Sequence, residues 1–182
     1  MRPFIFGLII GAIAVPFAVF TYFANGSAPV ATAAPEMPFE RMLAKRALHA
    51  RLDKEMPKIV PIPADEPNYV AGAQVYREHC AVCHGTPGAD RTAIAKGMYP
   101  KPPELFKGKG VTDDEPGETY WKVANGIRLT GMPAFRQSLS DTQMWQVSVL
   151  LANADKVSDS VKQSLTPGSA SPGPVQATGK TK

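Results

Sequence analysis

Cys80, Cys83 and His84 are the residues of this 182-residue chain whose types and spacing do chemistry together. In the run Cys80-Ala81-Val82-Cys83-His84, two thiols three positions apart reach one porphyrin edge and add to its vinyl groups as thioethers, which carries the adjacent imidazole beneath the iron. C-x-x-C-H reads as haem attachment for that reason. Two other chemistries use paired cysteines. A thioredoxin-type redox pair sits in a βαβ setting, and no run here alternates at period two to supply one. A zinc site needs a second pair of ligands, yet beyond His84 only His49 and His79 remain, and there is no further cysteine. The expected cofactor is therefore one covalent haem c, held through Cys80 and Cys83, with His84 as an axial iron ligand.

A haem iron takes a sixth ligand or keeps an open site. Met1, Met37, Met42 and Met56 precede the motif, and Met144 lies in an apolar helical run where a thioether fills core space. Met98 and Met132 remain. Met132 stands in Asn125-Gly126-Ile127-Arg128-Leu129-Thr130-Gly131-Met132-Pro133-Ala134-Phe135, where Gly131 permits close backbone approach and Pro133 stiffens the segment that presents the sulfur. Met98, in Gly97-Met98-Tyr99-Pro100, has a similar but less complete setting. Met132 is the expected ligand and Met98 the alternative. Arg128 is a candidate partner for a haem propionate. Tyr99, Trp121 and Phe135 are candidate pocket residues, although a small core also uses aromatics for packing alone. His79 is read as solvent-facing, and His49 as too distant to ligate.

The elements that position these residues are helices and loops. Residues 39–56 are good helix formers of mixed charge, with Leu48, Leu52 and Met56 on one face. They read as a spacer helix or, with six basic residues against four acidic in 36–58, as one lying near lipid headgroups. Pro57, Pro61, Pro63 and Pro67 mark an extended segment. A helix starts near Asn68 and ends in the cysteine motif, after which Gly and Pro punctuate residues 85–110 as loop. Thr112, Glu115 and Pro116 suggest a helix start, with Gly126 as its stop, and Ser140 with Gln143 forms a capping box for a helix over roughly 140–154. The expected class is all-α with long loops. Its segments are an N-terminal span (1–24), a linker with the spacer helix (25–67), the haem domain (68–156) and a flexible tail (157–182), of which residues 166–182 have Val175 as their only large aliphatic side chain.

Residues 4–23 carry no charge, and about 20 helical residues span the roughly 30 Å hydrocarbon core of a bilayer. A cleaved signal has a shorter apolar region, so a retained single-pass anchor is expected, although Ala31 and Ala33 would suit a cleavage site. With Arg2 on the cytoplasmic side, the rest of the chain is exported. Gly7 and Gly11 form a G-x-x-x-G pair, a weak sign of helix association, and Pro16 is tolerated in a membrane. The net charge of +4 is uneven, since residues 65–156 hold 10 basic and 11 acidic side chains. No basic stripe with interleaved aromatics exists, which argues against nucleic-acid binding.

The run Cys80-Ala81-Val82-Cys83-His84-Gly85, followed by Asn125-Gly126-Ile127-Arg128-Leu129-Thr130-Gly131-Met132-Pro133-Ala134-Phe135, resembles class I cytochromes c, especially bacterial membrane-anchored monohaem forms. The resemblance covers about residues 68–154. It implies a small helical fold in which an N-terminal helix crosses a C-terminal one, so that Gly72 and Tyr76 meet the Trp145/Val149 face. It also implies a backbone carbonyl accepting the Nδ1–H of His84, with Pro100, Pro102 and Pro103 as candidates. The implied function is one-electron transfer with His84 and Met132 as axial ligands. Redox proteins such as a terminal oxidase would be the partners, with the haem domain on the periplasmic side of the inner membrane. In that reading the chain is a carrier without catalytic residues of its own. The competing readings are a haem enzyme or gas sensor in which Met132 does not ligate, and a fixed subunit of a larger oxidoreductase.

Overall fold

The computed structural model describes residues 2–107 and 114–166. The chain divides into two compact units, residues 1–46 and 47–182. The first holds α1 (Arg2–Ala24), which runs unbroken through Pro16. Its span Pro3–Ala24 is, among the described residues, the one helix long and apolar enough to cross a membrane. α2 (Glu40–Glu55) begins in this unit, where the Glu40 carboxylate accepts the Met37 backbone N–H at 2.8 Å and so ties off the chain before the first turn.

The second unit contains the end of α2 and α3 (Glu66–His79), α4 (Ala81–His84), α5 (Ala93–Gly97), α6 (Pro116–Asn125), α7 (Asp141–Ala152) and α8 (Asp159–Ser164), with no strand among the described residues. α3 starts earlier than Asn68, because Asp65 caps it by accepting the Asn68 N–H at 3.2 Å. Pro67 therefore lies inside the first turn, where its missing N–H is not needed. α3 crosses α7 with its backbone almost in contact at Gly72, where a Cβ would overlap the Gln146 carbonyl and stand 3.1 Å from the Leu150 Cβ. The helix crossing the resemblance implies is present, with Tyr76, Val147, Val149 and Leu150 fully buried, but Gly72 meets Gln146 and Leu150 rather than the Trp145/Val149 face, which lies about one residue round the helix. α6 packs on the same helix through Tyr120 and Trp145, whose rings stack at 4.2 Å. The Ser140 capping box of α7 forms in full.

Two expectations need correcting. The flexible tail does not begin at 157. Val157, Val161 and Leu165 are buried, and both Ser158 and Ser160 donate to Glu66 Oε1, at 2.6 and 2.5 Å, so α8 closes over the start of α3. Three apolar residues at a spacing of four bury enough surface to hold so short a helix in place. Residues 167–182 lie outside the described residues. The linker is likewise not free up to 67. Leu52 is buried, the Trp121 indole N–H donates to Glu55 at 3.2 Å, and the Pro57 carbonyl fills the space a side chain would need at Gly117. Trp121 thus packs on α2 rather than serving as a pocket residue. Thr112 and Asp113 lie outside the described residues. α6 begins at Pro116, with Glu115 in the cap position but making no capping bond, and stops at Gly126 with φ 67°.

Candidate haem-attachment site

Cys80 closes α3 and opens α4, which is a single helical turn held by the Cys83 and His84 N–H groups donating to the Cys80 carbonyl at 3.1 and 2.9 Å. Residues three and four apart on a helix are surface neighbours. Cys80 and Cys83 therefore lie on one side of the turn, and His84 shares that side with Cys80. Gly85 then takes a positive φ of 75° that releases the chain, and the Tyr76 hydroxyl donates to its carbonyl at 2.6 Å. Tyr76 is itself braced edge-on by Phe106, 4.9 Å away. Thr92, the cap of α5, donates from its hydroxyl to the Val82 carbonyl at 2.6 Å, so the turn is held from outside as well.

Among the three candidate prolines, the structure selects Pro103: its carbonyl lies 2.8 Å from His84 Nδ1. A carbonyl only accepts, so Nδ1 carries the proton and the Nε2 lone pair is left for a metal. Burial, the largest influence, holds the imidazole pKa below its ordinary value; the bond to Pro103 opposes this and the Arg91 charge adds to it. The ring is then neutral at neutral pH, the form that ligates iron. The proline segment is itself pinned. Arg91 donates to the Pro102 carbonyl at 2.8 Å and pairs with Glu104 at 3.3 Å. Arg91 escaped the sequence reading, since nothing local marks an arginine that works on a backbone carbonyl 11 residues away. Burial, with the nearby Cys83 adding to it, pushes the Cys80 thiol up to about 12. Cys80 is accordingly a protonated, apolar-facing thiol, a poor redox nucleophile.

The methionine segment is a closed loop. The Ile127 N–H donates to the Met132 carbonyl at 3.2 Å, the Met132 N–H donates to the Thr130 hydroxyl at 3.1 Å, and the Phe135 N–H donates to Val123 at 2.9 Å, tying the loop to α6. A Cβ at Gly126 would meet the Met132 oxygen at 2.9 Å and the Ala134 nitrogen at 2.7 Å, so the loop folds back directly over that glycine. Phe135 meets the His79 ring edge-on at 6.1 Å, which brings the segment against the end of α3. His79 is thus half-buried rather than solvent-facing. Met98 reaches Gly131, where its methyl occupies the space a side chain would take. Cys80, Phe106, Met132 and Phe135 are all partly buried against the same core. Arg128 is exposed at the loop tip, beside Leu129, which takes a φ of 61° and is 92% exposed.

These residues fit a covalent haem. The two thiols are free and sit on one turn, and the histidine is fixed in the tautomer that ligates. Among the described residues no group of three His, Cys, Asp or Glu side chains converges, so the zinc alternative finds no donor set. Residues 67–151 match the family model described as cytochrome c oxidase, cbb3-type, subunit III. The chain carries a c-type cytochrome domain. A chain of the Kuenenia stuttgartiensis reducing HAO-like protein complex Kustc0457/Kustc0458 is 25% identical to this cytochrome, with a TM-score of 0.44 over 55% of this chain and 51% of that one. The cytochrome therefore spans about half the length of that protein. No curated protein sequence matches it.

Proposed function

We propose that this cytochrome is a one-electron carrier: one haem c held through Cys80 and Cys83, His84 and Met132 as axial ligands, and α1 retained in the bacterial inner membrane with the haem domain in the periplasm. The reading rests first on the His84–Pro103 bond, which fixes a neutral imidazole with its Nε2 lone pair free beside two unpaired thiols. The bound iron would exchange single electrons between its ferrous and ferric states. The chain's own residues hold that group still. Pro103 and Arg91 would keep the imidazole from turning, and the closed loop of residues 127–132 would offer the Met132 thioether as the sixth ligand. A thioether on the sixth position raises the reduction potential relative to a more basic ligand. The test is spectroscopic. The oxidised protein should be low-spin with a weak near-infrared sulfur–iron band, and the reduced protein should not bind carbon monoxide. A high-spin protein that takes up carbon monoxide or peroxide readily would establish the enzyme or sensor reading instead.

The matching family, described as an oxidase subunit, favours a second reading in which this chain is a fixed member of an oxidoreductase complex. Gentle solubilisation from the native membrane separates the two. A stoichiometric complex that survives gel filtration marks a subunit, and a cytochrome that elutes alone marks a mobile carrier.

A further inference from the structure

We propose that the first two turns of α2 lie on the membrane surface and that anionic lipid headgroups are their partner. The inference rests on the reading of α1 as a retained membrane span. Phe39, Met42 and Leu43 are 70, 50 and 58% exposed. Met42 and Leu43 are neighbours on one side of the helix, and Phe39 stands just before its first turn. By the same register, Leu48 and Leu52 fall on the opposite stripe, and it is this second stripe that is covered, Leu52 being 3% exposed and Leu48 half-buried. α2 is therefore apolar on two faces, and its own packing uses one of them. Phe39 also takes a φ of 65°, a left-handed conformation that aromatic residues rarely adopt, and it does so while holding its ring in the open.

The charges select the partner. Arg41, Lys45 and Arg46 stand on these turns; Glu40 is the acidic residue among them, and Arg41 already pairs with Glu36 at 3.4 Å, so Lys45 and Arg46 carry the attraction. Arg46 lies four residues after Met42 and three after Leu43, on the apolar side itself, where its long stem can follow the hydrocarbon while the guanidinium reaches outward. A basic helix start with an aromatic and two large aliphatics on one side matches the boundary between acyl chains and acidic headgroups. The reach is sufficient. The 14 residues between Ala24 and Phe39 can extend roughly 45–50 Å, so a chain leaving the bilayer at the end of α1 can return to its surface at Phe39.

The experiment uses the full-length haem-loaded protein with Phe39→Trp, in nanodiscs of phosphatidylcholine alone and with one-third phosphatidylglycerol, each with and without brominated acyl chains. Trp121 and Trp145 belong to the haem-bearing unit, and the parent protein in the same discs supplies their background. In anionic discs the new tryptophan should emit at shorter wavelength and lose at least half its intensity to bromine. In neutral discs, in 0.5 M salt, or with Lys45→Gln and Arg46→Gln added, quenching should fall at least twofold. Solvent-like emission without bromine quenching, in a protein that stays in the disc through α1, overturns the inference and leaves the anchor intact. Shifted emission without bromine quenching means a protein contact covers the stripe, and quenching indifferent to lipid charge and salt removes the headgroups as partner; either result overturns it. A protein that does not enter the discs overturns both the inference and the anchor.

Discussion

His84 has its Nδ1 proton committed to Pro103, and this one bond decides both the tautomer and the direction of the remaining lone pair. The adjacency of Cys80, Cys83 and His84 was legible because the motif is local. The choice of Pro103 over Pro100 and Pro102 was not, since it depends on how the chain returns to a carbonyl 19 positions on and on Arg91 gripping its backbone. If Cys80 and Cys83 are the thioether sites, replacing both by alanine should abolish haem staining of the band after denaturing electrophoresis, while the parent band stains. On the proposed ligation, Met132→Ala should remove the near-infrared band, lower the reduction potential and admit carbon monoxide. Met98→Ala should keep that band. Met98, the alternative ligand candidate in the sequence, has its methyl against Gly131 in the structure. Met98 is only partly buried and Gly131 is exposed, so loss of the methionine side chain should cost about 1 kcal/mol or less in denaturant titration.

Two glycines mark where elements touch backbone to backbone. At Gly126 a Cβ collides with the Met132–Ala134 main chain and the residue holds φ 67°, so Gly126→Ala should destabilise by about 2 kcal/mol or more and weaken the near-infrared band along with stability. At Gly72 the obstacle is the Gln146 carbonyl, and Gly72→Ala should cost about 1–3 kcal/mol through the separation of α3 from α7, with the band unchanged in whatever remains folded. Helix α7 was legible down to its cap, because Ser140 and Gln143 signal each other at a fixed spacing. Helix α8 was not, since Val161 and Leu165 in a polar run acquire meaning only from the groove that α3 offers them. The junction of α8 with α3 should respond to acid. The hydroxyls of Ser158 and then Ser160 hold the Glu66 carboxyl below its ordinary pKa. A lowered pKa gives stability that is complete above the unfolded carboxylate value and is lost as pH falls through the folded one. Amide protection factors over residues 158–166, referred to the intrinsic exchange rate at each pH, should therefore fall in acid, and Glu66→Gln should flatten that dependence.

At the scale of the molecule, a 22-residue apolar helix and a haem-bearing unit are joined by a shorter free stretch than the sequence implied, because the chain from Leu52 onward already packs on that unit. If α1 is retained, a salt wash should leave the stained band in the membrane pellet, and the mature N-terminus should include Phe4. A soluble form starting near residue 34 would mean cleavage. The clasp between Ser158 and Glu66 joins residues 92 positions apart, and α3 also depends on α7 for its covered face. Ribosomes deliver the chain from its N-terminus, so Cys80, Cys83 and His84 emerge while the helices that will cover α3 have yet to be made. For that interval the motif has none of its covering helices, α3 is not yet held in place, and both thiols are accessible. The order of the helices along the chain thus sets a time window, closing with Leu165, in which a bulky planar group can be brought to the cysteines without unfolding anything.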